Sequence, residues 1–385
     1  MKKLTTILLI IFLLTSCAGG EQNSKKEGYE KFSDVYYGPD NTIQVFDTAI
    51  EFLAYTKNKE EFNKYFKILG DEFLTYHKLY DNYHEYDGIN NIMTINLNAG
   101  KKPVKVDQRI IDILKFSKDN YEKTLGKTNI AMGAVIDLWH VAREKIDAEN
   151  AKYAKNPDDN VEEVNEKLKT YLPKEKDLLE ANKHTDIKNL IIDEKEKTVF
   201  LKDPKMSLDL GAVAKGYATE QVARSLEKKG LDSGIISAGG NVRTIGKSRK
   251  EGALHWGIAI QNPDLKAEKS AIEVFYVDEN TAVVTSGDYQ RFSMVDGKRI
   301  HHIIDPVTLA PSKHFRSVSI FTNNSGLADF LSTALFNASR EEGEKILKNY
   351  EKVGAFWVDD ELKTYETEEI RKNMSSKGSK IDKEF

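Results

Sequence analysis

The stretch from Asp209 to Leu231, DLGAVAKGYATEQVARSLEKKGL, places a lysine among small residues directly before a helical pattern. Apolar residues then recur on one helical face as far as Gly230, so we expect a helix that begins near Gly216 or Tyr217. A helix N-terminus preceded by small residues accepts anions, and Lys215 adds a positive charge there. The stretch predicts a phosphate-binding turn; the alternative is a solvated surface lysine with glycines that serve close packing.

The composition of the whole chain is that of a globular protein. Its 385 residues are 40% hydrophobic and 31% charged, and a net charge of −4 gives no case for non-specific nucleic-acid binding. Helical and strand-like patterns occur without regular alternation, which predicts an α+β fold over a doubly wound sheet. The motifs G-x-G-x-x-G and G-x-x-x-x-G-K-[ST] are both absent, so standard Rossmann and P-loop sites are excluded.

Several elements can be placed from apolar periodicity. The runs Leu190–Asp193 and Thr198–Leu201 predict a hairpin, and the polar, lysine-rich segment 148–188 is interpreted as a peripheral helical insertion. Three further segments carry apolar residues at helical spacing, and we predict helices there: 45–55, 62–79 and 108–121.

The N-terminus, MKKLTTILLIIFLLTSCAGG, has the pattern of an export signal. Two lysines precede an apolar run that is too short to span a bilayer durably, and Leu14–Cys17 resembles a bacterial lipobox. We therefore expect a lipoprotein signal peptide at 1–16, a lipidated Cys17 with a flexible tether over 17–35, and a lipid anchor on the extracytoplasmic face of the cell membrane. The alternative is a plain signal peptide with an incidental cysteine. Cys17 is the only cysteine, so once acylated it leaves no thiol for a disulfide, a zinc site or catalysis.

Two further motifs place small or basic residues where a strand ends. In SAGGNVR, Gly239 and Gly240 form a corner at which the backbone can approach a flat ligand, although a bulge or hairpin corner explains them equally well. In HHIIDP, His301 or His302 could act as a base or a phosphate contact. Adjacent strand residues point to opposite faces, so at most one of the two histidines should face a site, and a lone histidine is more often structural.

The segment SGLADFLSTALF predicts an apolar helix that carries an acidic and a hydroxyl side chain on one face. Asp329 and Thr333 are four residues apart and provide hard oxygen ligands of the kind that Mg²⁺ prefers. Taken alone, Asp329 near the helix start could instead serve only the helix dipole.

Taken together, DLGAVAKGYA, SAGGNVRTIG, VTSGDYQRF, HHIIDPVT and ADFLSTALF, in this order, resemble the ApbE family of FAD:protein FMN transferases, which are commonly lipoproteins. The likeness includes INLNAG at 95–100, which is similar to an early flavin-contacting segment, and the Leu-Trp pair that ends at Trp139. Asn241 departs from it, standing where the family usually has Asp, and NYHEYDGINNIMT lacks an expected serine and acidic residue. The resemblance implies one T-fold-like α+β domain with a mainly antiparallel sheet over 36–368, followed by a polar, frayed tail at 369–385.

The resemblance also implies an activity: Mg²⁺-dependent transfer of FMN from FAD to a Thr or Ser hydroxyl of an exported acceptor protein, with release of AMP. Asp329, Thr333 and the Ala212 carbonyl would hold the metal, and Lys215 would lie beside the pyrophosphate. His302 would accept the hydroxyl proton, with His301 as the alternative. The residues expected to bind FAD are Asn96, Lys215, Gly239, Gly240, Ser286, Gly287 and His302.

Two other functions are compatible with the same residues. A metal-dependent FAD pyrophosphatase would use water as the acceptor and give FMN and AMP. A lipid-anchored flavin-binding protein would retain FAD without turnover and without a magnesium requirement.

Overall fold

The computed structural model describes residues 28–39, 45–154 and 161–379. Its main feature is an eight-stranded antiparallel sheet in the order β1-β2-β6-β7-β10-β13-β14-β15. Three small sheets, β3-β5-β4, β8-β9 and β11-β12, surround it. The strands are β1 Glu30–Tyr36, β2 Ile50–Thr56, β3 Val104–Lys105, β4 Leu190–Asp193, β5 Thr198–Leu201, β6 Ser233–Ala238, β7 Asn241–Gly246, β8 Trp256–Gln261, β9 Ala271–Val277, β10 Ala282–Gly287, β11 Phe292–Val295, β12 Lys298–His301, β13 Ser317–Thr322, β14 Gly354–Val358 and β15 Thr364–Glu366.

Helices cover one face of this sheet, and the β8–β9 hairpin covers the other. Alternate residues of the central strands contribute to the two cores; in β2, Phe52 packs with the helices and Leu53 packs with Trp256 of β8. The α-helices are α1 Lys59–Tyr80, α2 Ile92–Leu97, α3 Gln108–Tyr121, α4 Gly133–Tyr153, α5 Val161–Lys169, α6 Glu175–Asn182, α7 Ala214–Lys228, α8 Ser325–Phe336, α9 Arg340–Leu347 and α10 Glu368–Arg371. The predicted α+β class is confirmed. None of these helices is long and apolar enough to cross a bilayer within the described residues.

The predicted helix over 45–55 is wrong. Only a short 3-10 turn lies at Val45–Asp47, and β2 follows it between β1 and β6. Nearly every residue of β2 is buried because both faces of the central sheet are covered. A short apolar run buried on both sides cannot be distinguished from a helix by periodicity, and that ambiguity caused the error.

The other helix and hairpin predictions agree with the structure. The segments 62–79 and 108–121 lie in α1 and α3, and β4 pairs with β5 as the predicted hairpin. Helix α7 begins at Ala214, two residues earlier than expected, and Gly230 follows its end with φ +101°, a left-handed conformation that favours glycine.

The lysine-rich insertion is helical, as predicted, and it also has a buried side. Leu168 of α5 and Leu178 of α6 pack with Trp139 of α4 and with Val295 and Ile300 of the β11–β12 hairpin. This satellite core therefore fixes the position of the hairpin, whose second strand leads into His302.

Both predicted boundaries of the globular domain are corrected. The tether was expected to extend to residue 35, but β1 begins at Glu30 and pairs with β2 along its whole length. The tail was expected from residue 369, but Ile370 and Met374 are buried against the β8–β9 side of the sheet. Spaced apolar side chains in otherwise polar segments were enough to anchor both ends. Residues 1–27, which include Cys17 and the signal, and 380–385 lie outside the described residues.

Candidate functional site

The N-terminus of α7 meets α8 through a glycine. The main-chain N–H of Gly216 donates to Oδ2 of Asp329 at 2.7 Å, and a Cβ at Gly216 would lie 2.4 Å from both the Asp329 Cβ and the Ser325 carbonyl oxygen. Only glycine allows the helices to approach so closely. The small residues around Lys215 therefore serve close packing, and this packing brings Lys215 to the Asp329 carboxylate.

Asp329 is a buried carboxylate whose immediate neighbours are polar or cationic. It is 5% exposed, and burial raises its pKa above the ordinary value, while the Lys215 ammonium, the Gly216 N–H and the Asn241 amide lower it and offset part of that rise. Because Gly216 engages Oδ2, Oδ1 is the oxygen left for an ion. A buried carboxylate in this setting indicates a functional site better than a helix-dipole contact does.

Two further oxygens are available near this carboxylate. Thr333 lies one helical turn beyond Asp329 and is half-buried, and its hydroxyl makes no hydrogen bond within the described part of the chain. The Ala212 carbonyl lies in the turn before α7. The Gly216 N–H, which is four residues further on, donates to Asp329 and not to this carbonyl. The carboxylate, the hydroxyl and the carbonyl form a hard-oxygen set that fits Mg²⁺.

The Gly-Gly corner joins β6 to β7 beside α8. Gly239 and Gly240 have φ of +55° and +94°, the left-handed values of a tight hairpin turn. Asn241 follows the corner and is 2% exposed. Its amide lies beside the Asp329 carboxylate, but its Nδ2 meets the geometry of a hydrogen bond with no group among the described residues. A buried amide nitrogen without a well-formed hydrogen bond is costly and is consistent with a ligand beside Asp329.

Ser286 and Gly287 lie at the end of β10, against α8. Ser286 Oγ is 2.8 Å from Ser332 Oγ, so this strand end adjoins the helix turn that carries Thr333. A Cβ at Gly287 would lie 2.4 Å from the Tyr289 ring, so this glycine is required for packing.

The two histidines have different environments. His301 is 1% exposed, its Nε2 lies 2.9 Å from the Ser312 carbonyl, and its Nδ1 accepts from the Ile303 N–H, so both ring nitrogens are used structurally. His302 is exposed to solvent. Neighbouring protein atoms still desolvate its ring, and this desolvation, the charges of Lys215, Arg291 and Arg143, and His301 lower its pKa well below 6.5. His302 is therefore neutral at physiological pH.

The side chain of Asn96 is engaged in hydrogen bonds within the protein. Its side-chain amide donates to the Leu208 carbonyl at 3.0 Å, and its Oδ1 accepts from the Leu208 N–H at 2.8 Å. Asn96 thus holds the chain directly before Asp209. Its role in binding FAD stays a prediction.

Two arginines whose charges act on His302 were missed by the sequence analysis. Arg143 lies one helical turn after Trp139 on α4, and its Nη1 is buried without a hydrogen-bond partner in the described chain. Arg291 was quoted within VTSGDYQRF but not selected; it is exposed and donates to the Asp47 carbonyl. The i, i+4 spacing from Trp139 was the available signal for Arg143. No signal in the sequence connected either arginine to His302.

Acidic and aromatic side chains lie on the other side of Arg143 from His302 in sequence, around Asp137 and Tyr83. Asp137 has a pKa raised by burial and by the nearby charge of Asp209, and Asp209 acts on Arg143 in turn. Tyr83 is 44% exposed, and its ring centroid is 4.9 Å from that of His140. An exposed ring beside Arg143 offers a surface for a flat aromatic ligand.

These groups are chemically suited to a phosphorylated, aromatic ligand between α7, α8 and the end of β12. The charges of three cations, Lys215, Arg143 and Arg291, act on His302, and one buried carboxylate lies at the helix crossing. No group of three or more His, Cys, Asp or Glu side chains suited to a metal occurs in the described residues. Any cation here would need phosphate or water oxygens to complete its shell.

Comparison with known proteins agrees with this description. The ApbE family matches residues 46–357, and the chain belongs to that family. It is 32% identical over 279 residues to the FAD:protein FMN transferase of Treponema pallidum (strain Nichols), covering 69% of this chain and 70% of that protein. It is 27% identical over 339 residues to the FAD:protein FMN transferase of Haemophilus influenzae, covering 87% of each chain.

Solved structures show the same fold. The ApbE protein of Thermotoga maritima superposes with a TM-score of 0.68 at 24% identity, covering 88% of this chain and 97% of that one. The flavin transferase ApbE of Vibrio cholerae gives a TM-score of 0.67 at 20% identity, covering 89% and 99%.

Proposed function

We propose that this protein transfers FMN from FAD to a Thr or Ser hydroxyl of another protein, with Mg²⁺ as cofactor and AMP as the leaving product. One observation carries the proposal: the α7–α8 crossing brings the Lys215 cation near the buried Asp329 carboxylate, one helical turn from the Thr333 hydroxyl. The curated relatives named FAD:protein FMN transferase support the reaction class.

The residues present fit Mg²⁺. Asp329, Thr333 and the Ala212 carbonyl would hold it, and a bound Mg²⁺ would neutralise pyrophosphate charge as the phosphorus–oxygen bond breaks. Lys215 makes no ion pair within the described residues, so its ammonium is available to the same pyrophosphate.

The protein groups also provide for the proton. The acceptor hydroxyl oxygen forms a bond to the FMN phosphorus, the bond from that phosphorus to the AMP oxygen breaks, and AMP leaves with its electron pair. Neutral His302 takes the hydroxyl proton, as its lowered pKa and exposed ring allow. His301 is committed to Ser312 and Ile303, so the structure favours His302 over His301 in this role.

The exposure of His302 gives a second candidate some support. Water can reach the same ring, so FAD hydrolysis to FMN and AMP would use the same residues. The exposed ring of Tyr83, on which a flavin ring could stack, serves both reactions equally.

A single experiment separates these functions. The protein is incubated with FAD and Mg²⁺, with and without a candidate exported acceptor, while AMP and free FMN are measured by chromatography and acceptor mass by mass spectrometry. Equal amounts of AMP and flavinylated acceptor support transfer. AMP with free FMN and no modified acceptor supports hydrolysis, and retained FAD without AMP supports a binding protein. An acceptor whose target hydroxyl is replaced is the matched control.

We further propose that the protein is exported and tethered to the membrane through Cys17, which lies outside the described residues. The N-terminal pattern of two lysines, an apolar run and LTSC supports this location. Cys17→Ser should release the protein from the membrane fraction without changing its FMN transfer. Unchanged membrane association would overturn the anchor.

A further inference from the structure

A second buried carboxylate lies one helical turn from the α7–α8 contact. Glu220 of α7 is 1% exposed and accepts hydrogen bonds from three other residues: Arg224 Nε at 2.7 Å, Arg243 Nε at 3.0 Å and the Ser325 N–H at 2.8 Å. Burial raises the pKa of Glu220, but the charge of Arg243 and these hydrogen bonds outweigh burial and lower it below its ordinary value. The carboxylate is therefore ionised, enclosed and without access to a substrate.

Glu220 and Gly216 make two matched contacts with α8. Gly216 donates to Asp329, and four residues further along α7, Glu220 accepts from Ser325, which precedes Asp329 by four residues. The helices therefore run past each other in opposite directions, with one contact per turn. Two contacts fix both the separation of the helices and the rotation of α8 about its axis, which one contact could not do. That rotation decides where Asp329 and Thr333 point.

The same carboxylate also connects α8 to β7. Arg243 is 4% exposed and pairs with Glu220, while its Nη1 donates to the Thr244 carbonyl. Asn241 is two residues earlier in β7, so it points to the same face of the strand as Arg243. Holding Arg243 against α7 thus keeps the Asn241 amide beside Asp329.

We propose that Glu220 is a positioning residue that sets the geometry of the metal and pyrophosphate site by locking α8 and β7 onto α7. The inference rests on the proposed function, because it assumes that the metal and pyrophosphate site is the site whose geometry Glu220 maintains. Glu220 does not touch the substrate; it acts through Asp329, Thr333 and Asn241. The competing explanation is a buried ion pair that contributes only to stability.

The test replaces the charge and keeps the shape. Glu220→Gln retains an oxygen for the Ser325 N–H but removes the charge that pairs with Arg243 at 3.0 Å. Arg243 then keeps its longer ion pair, in which Nη2 lies 3.4 Å from Glu227 Oε1, so the relation between α8 and β7 should loosen. We expect the affinity for Mg²⁺, titrated by calorimetry in the presence of ADP, to fall about 10- to 100-fold, the usual cost of losing an outer-shell contact. The half-saturating Mg²⁺ concentration for FMN transfer should rise in parallel, while kcat at saturating Mg²⁺ changes less.

Two other variants keep the test decisive. Arg224 is the half-exposed partner of Glu220, and Arg224 itself makes no hydrogen bond to α8. Arg224→Gln should therefore leave Mg²⁺ affinity unchanged. Glu220→Asp keeps the charge for Arg243 but withdraws it by one methylene from Ser325, so an intermediate loss is expected, and this variant serves if Glu220→Gln does not fold.

The measurements distinguish this inference from the proposed function. The positioning role would be overturned by a folded Glu220 variant that melts at a lower temperature but binds Mg²⁺, in the presence of ADP, with the affinity of the unchanged protein. If the unchanged protein binds Mg²⁺ with ADP yet transfers no FMN, the proposed function fails, while the binding comparison still tests Glu220.

Discussion

Replacing Asp329 by asparagine is the most informative perturbation of the site. The asparagine carbonyl can still accept from the Gly216 N–H, which now meets Oδ2 at 2.7 Å, so the helix crossing is preserved. The amide nitrogen then takes the place of Oδ1. Asp329→Asn therefore removes the one carboxylate of the candidate ligand set and leaves the packing of α8 intact.

The expected loss of activity follows from that chemistry. Asp329 is the only anionic group among the three candidate ligands, the others being Thr333 and the Ala212 carbonyl. Without this carboxylate, Mg²⁺ is held less well and stabilises the charge of the transition state less. The activation free energy should rise by about 3 to 4 kcal/mol, which lowers the rate on the order of 10²- to 10³-fold. The dependence on Mg²⁺ concentration should also become weaker and shift to higher concentration.

Stability should change in the opposite direction. Burial makes the pKa of Asp329 higher in the folded than in the unfolded protein, so the folded state binds that proton more tightly. The ionised form therefore costs stability above the folded pKa, and this cost vanishes as the pH falls below the ordinary 3.8. Asp329→Asn should raise the free energy of unfolding at neutral pH by roughly 0.5 to 1 kcal/mol and give no gain at about pH 3.

The assay combines AMP release across a Mg²⁺ titration with thermal melts at two pH values. A helix-dipole role for Asp329 predicts the reverse pattern: about 0.3 to 1 kcal/mol of lost stability with activity retained. A variant that melts slightly earlier and still transfers FMN at the normal rate and Mg²⁺ requirement would refute the metal assignment.

Three other predictions concern the surroundings of this carboxylate. The acid limb of the pH profile of kcat/KM should lie below pH 6.5, because His302 has a lowered pKa. Arg291→Gln removes a nearby cation, so it should raise the pKa of His302 and shift the acid limb to higher pH. An acid limb that does not shift would exclude His302 as the base. Gly216→Ala should cost about 1 to 3 kcal/mol in unfolding free energy and abolish transfer, because its Cβ would overlap α8; a normal melt would show that the crossing is loose. A chain that begins at Gly28 should keep full activity in solution, whereas one that begins at Tyr37 loses β1 and should melt earlier; equal melting temperatures would show that β1 is dispensable.

The fold class could be predicted because its signals are local. Helices such as α1 and α3 carry long apolar stripes, and the β4–β5 hairpin is bounded by polar turn residues. The failure at β2 has the opposite cause: a central strand buried on both faces has no polar side to give it a period of two. The termini were misassigned because a few apolar residues, such as Ile370, anchor polar segments once a surface exists for them.

The residues of the site were predictable in type, but their meeting in space was not. Motif composition alone drew attention to Lys215, Asp329 and the two histidines. The contact between Gly216 and Asp329 joins residues 113 apart in sequence. The different environments of His301 and His302 depend on the Ser312 carbonyl, which the His301 ring meets from 11 residues away. The periodicity of apolar residues carries no information about contacts between residues so far apart in the sequence.

Glu220 shows most clearly what is lost without the structure. On a helical wheel it lies four residues after Gly216, and it would be assigned to a solvated face because charged residues are rarely buried. In the folded protein that face is closed by α8, where Gly326 lets the backbone of Tyr217 approach. Small residues on both helices create the close crossing, and the close crossing forces Glu220 into a buried pair with Arg243. The buried charge that holds the site in place therefore depends on a close crossing that is made possible by Gly216, a residue of the predicted phosphate-binding turn, and by Gly326 of α8.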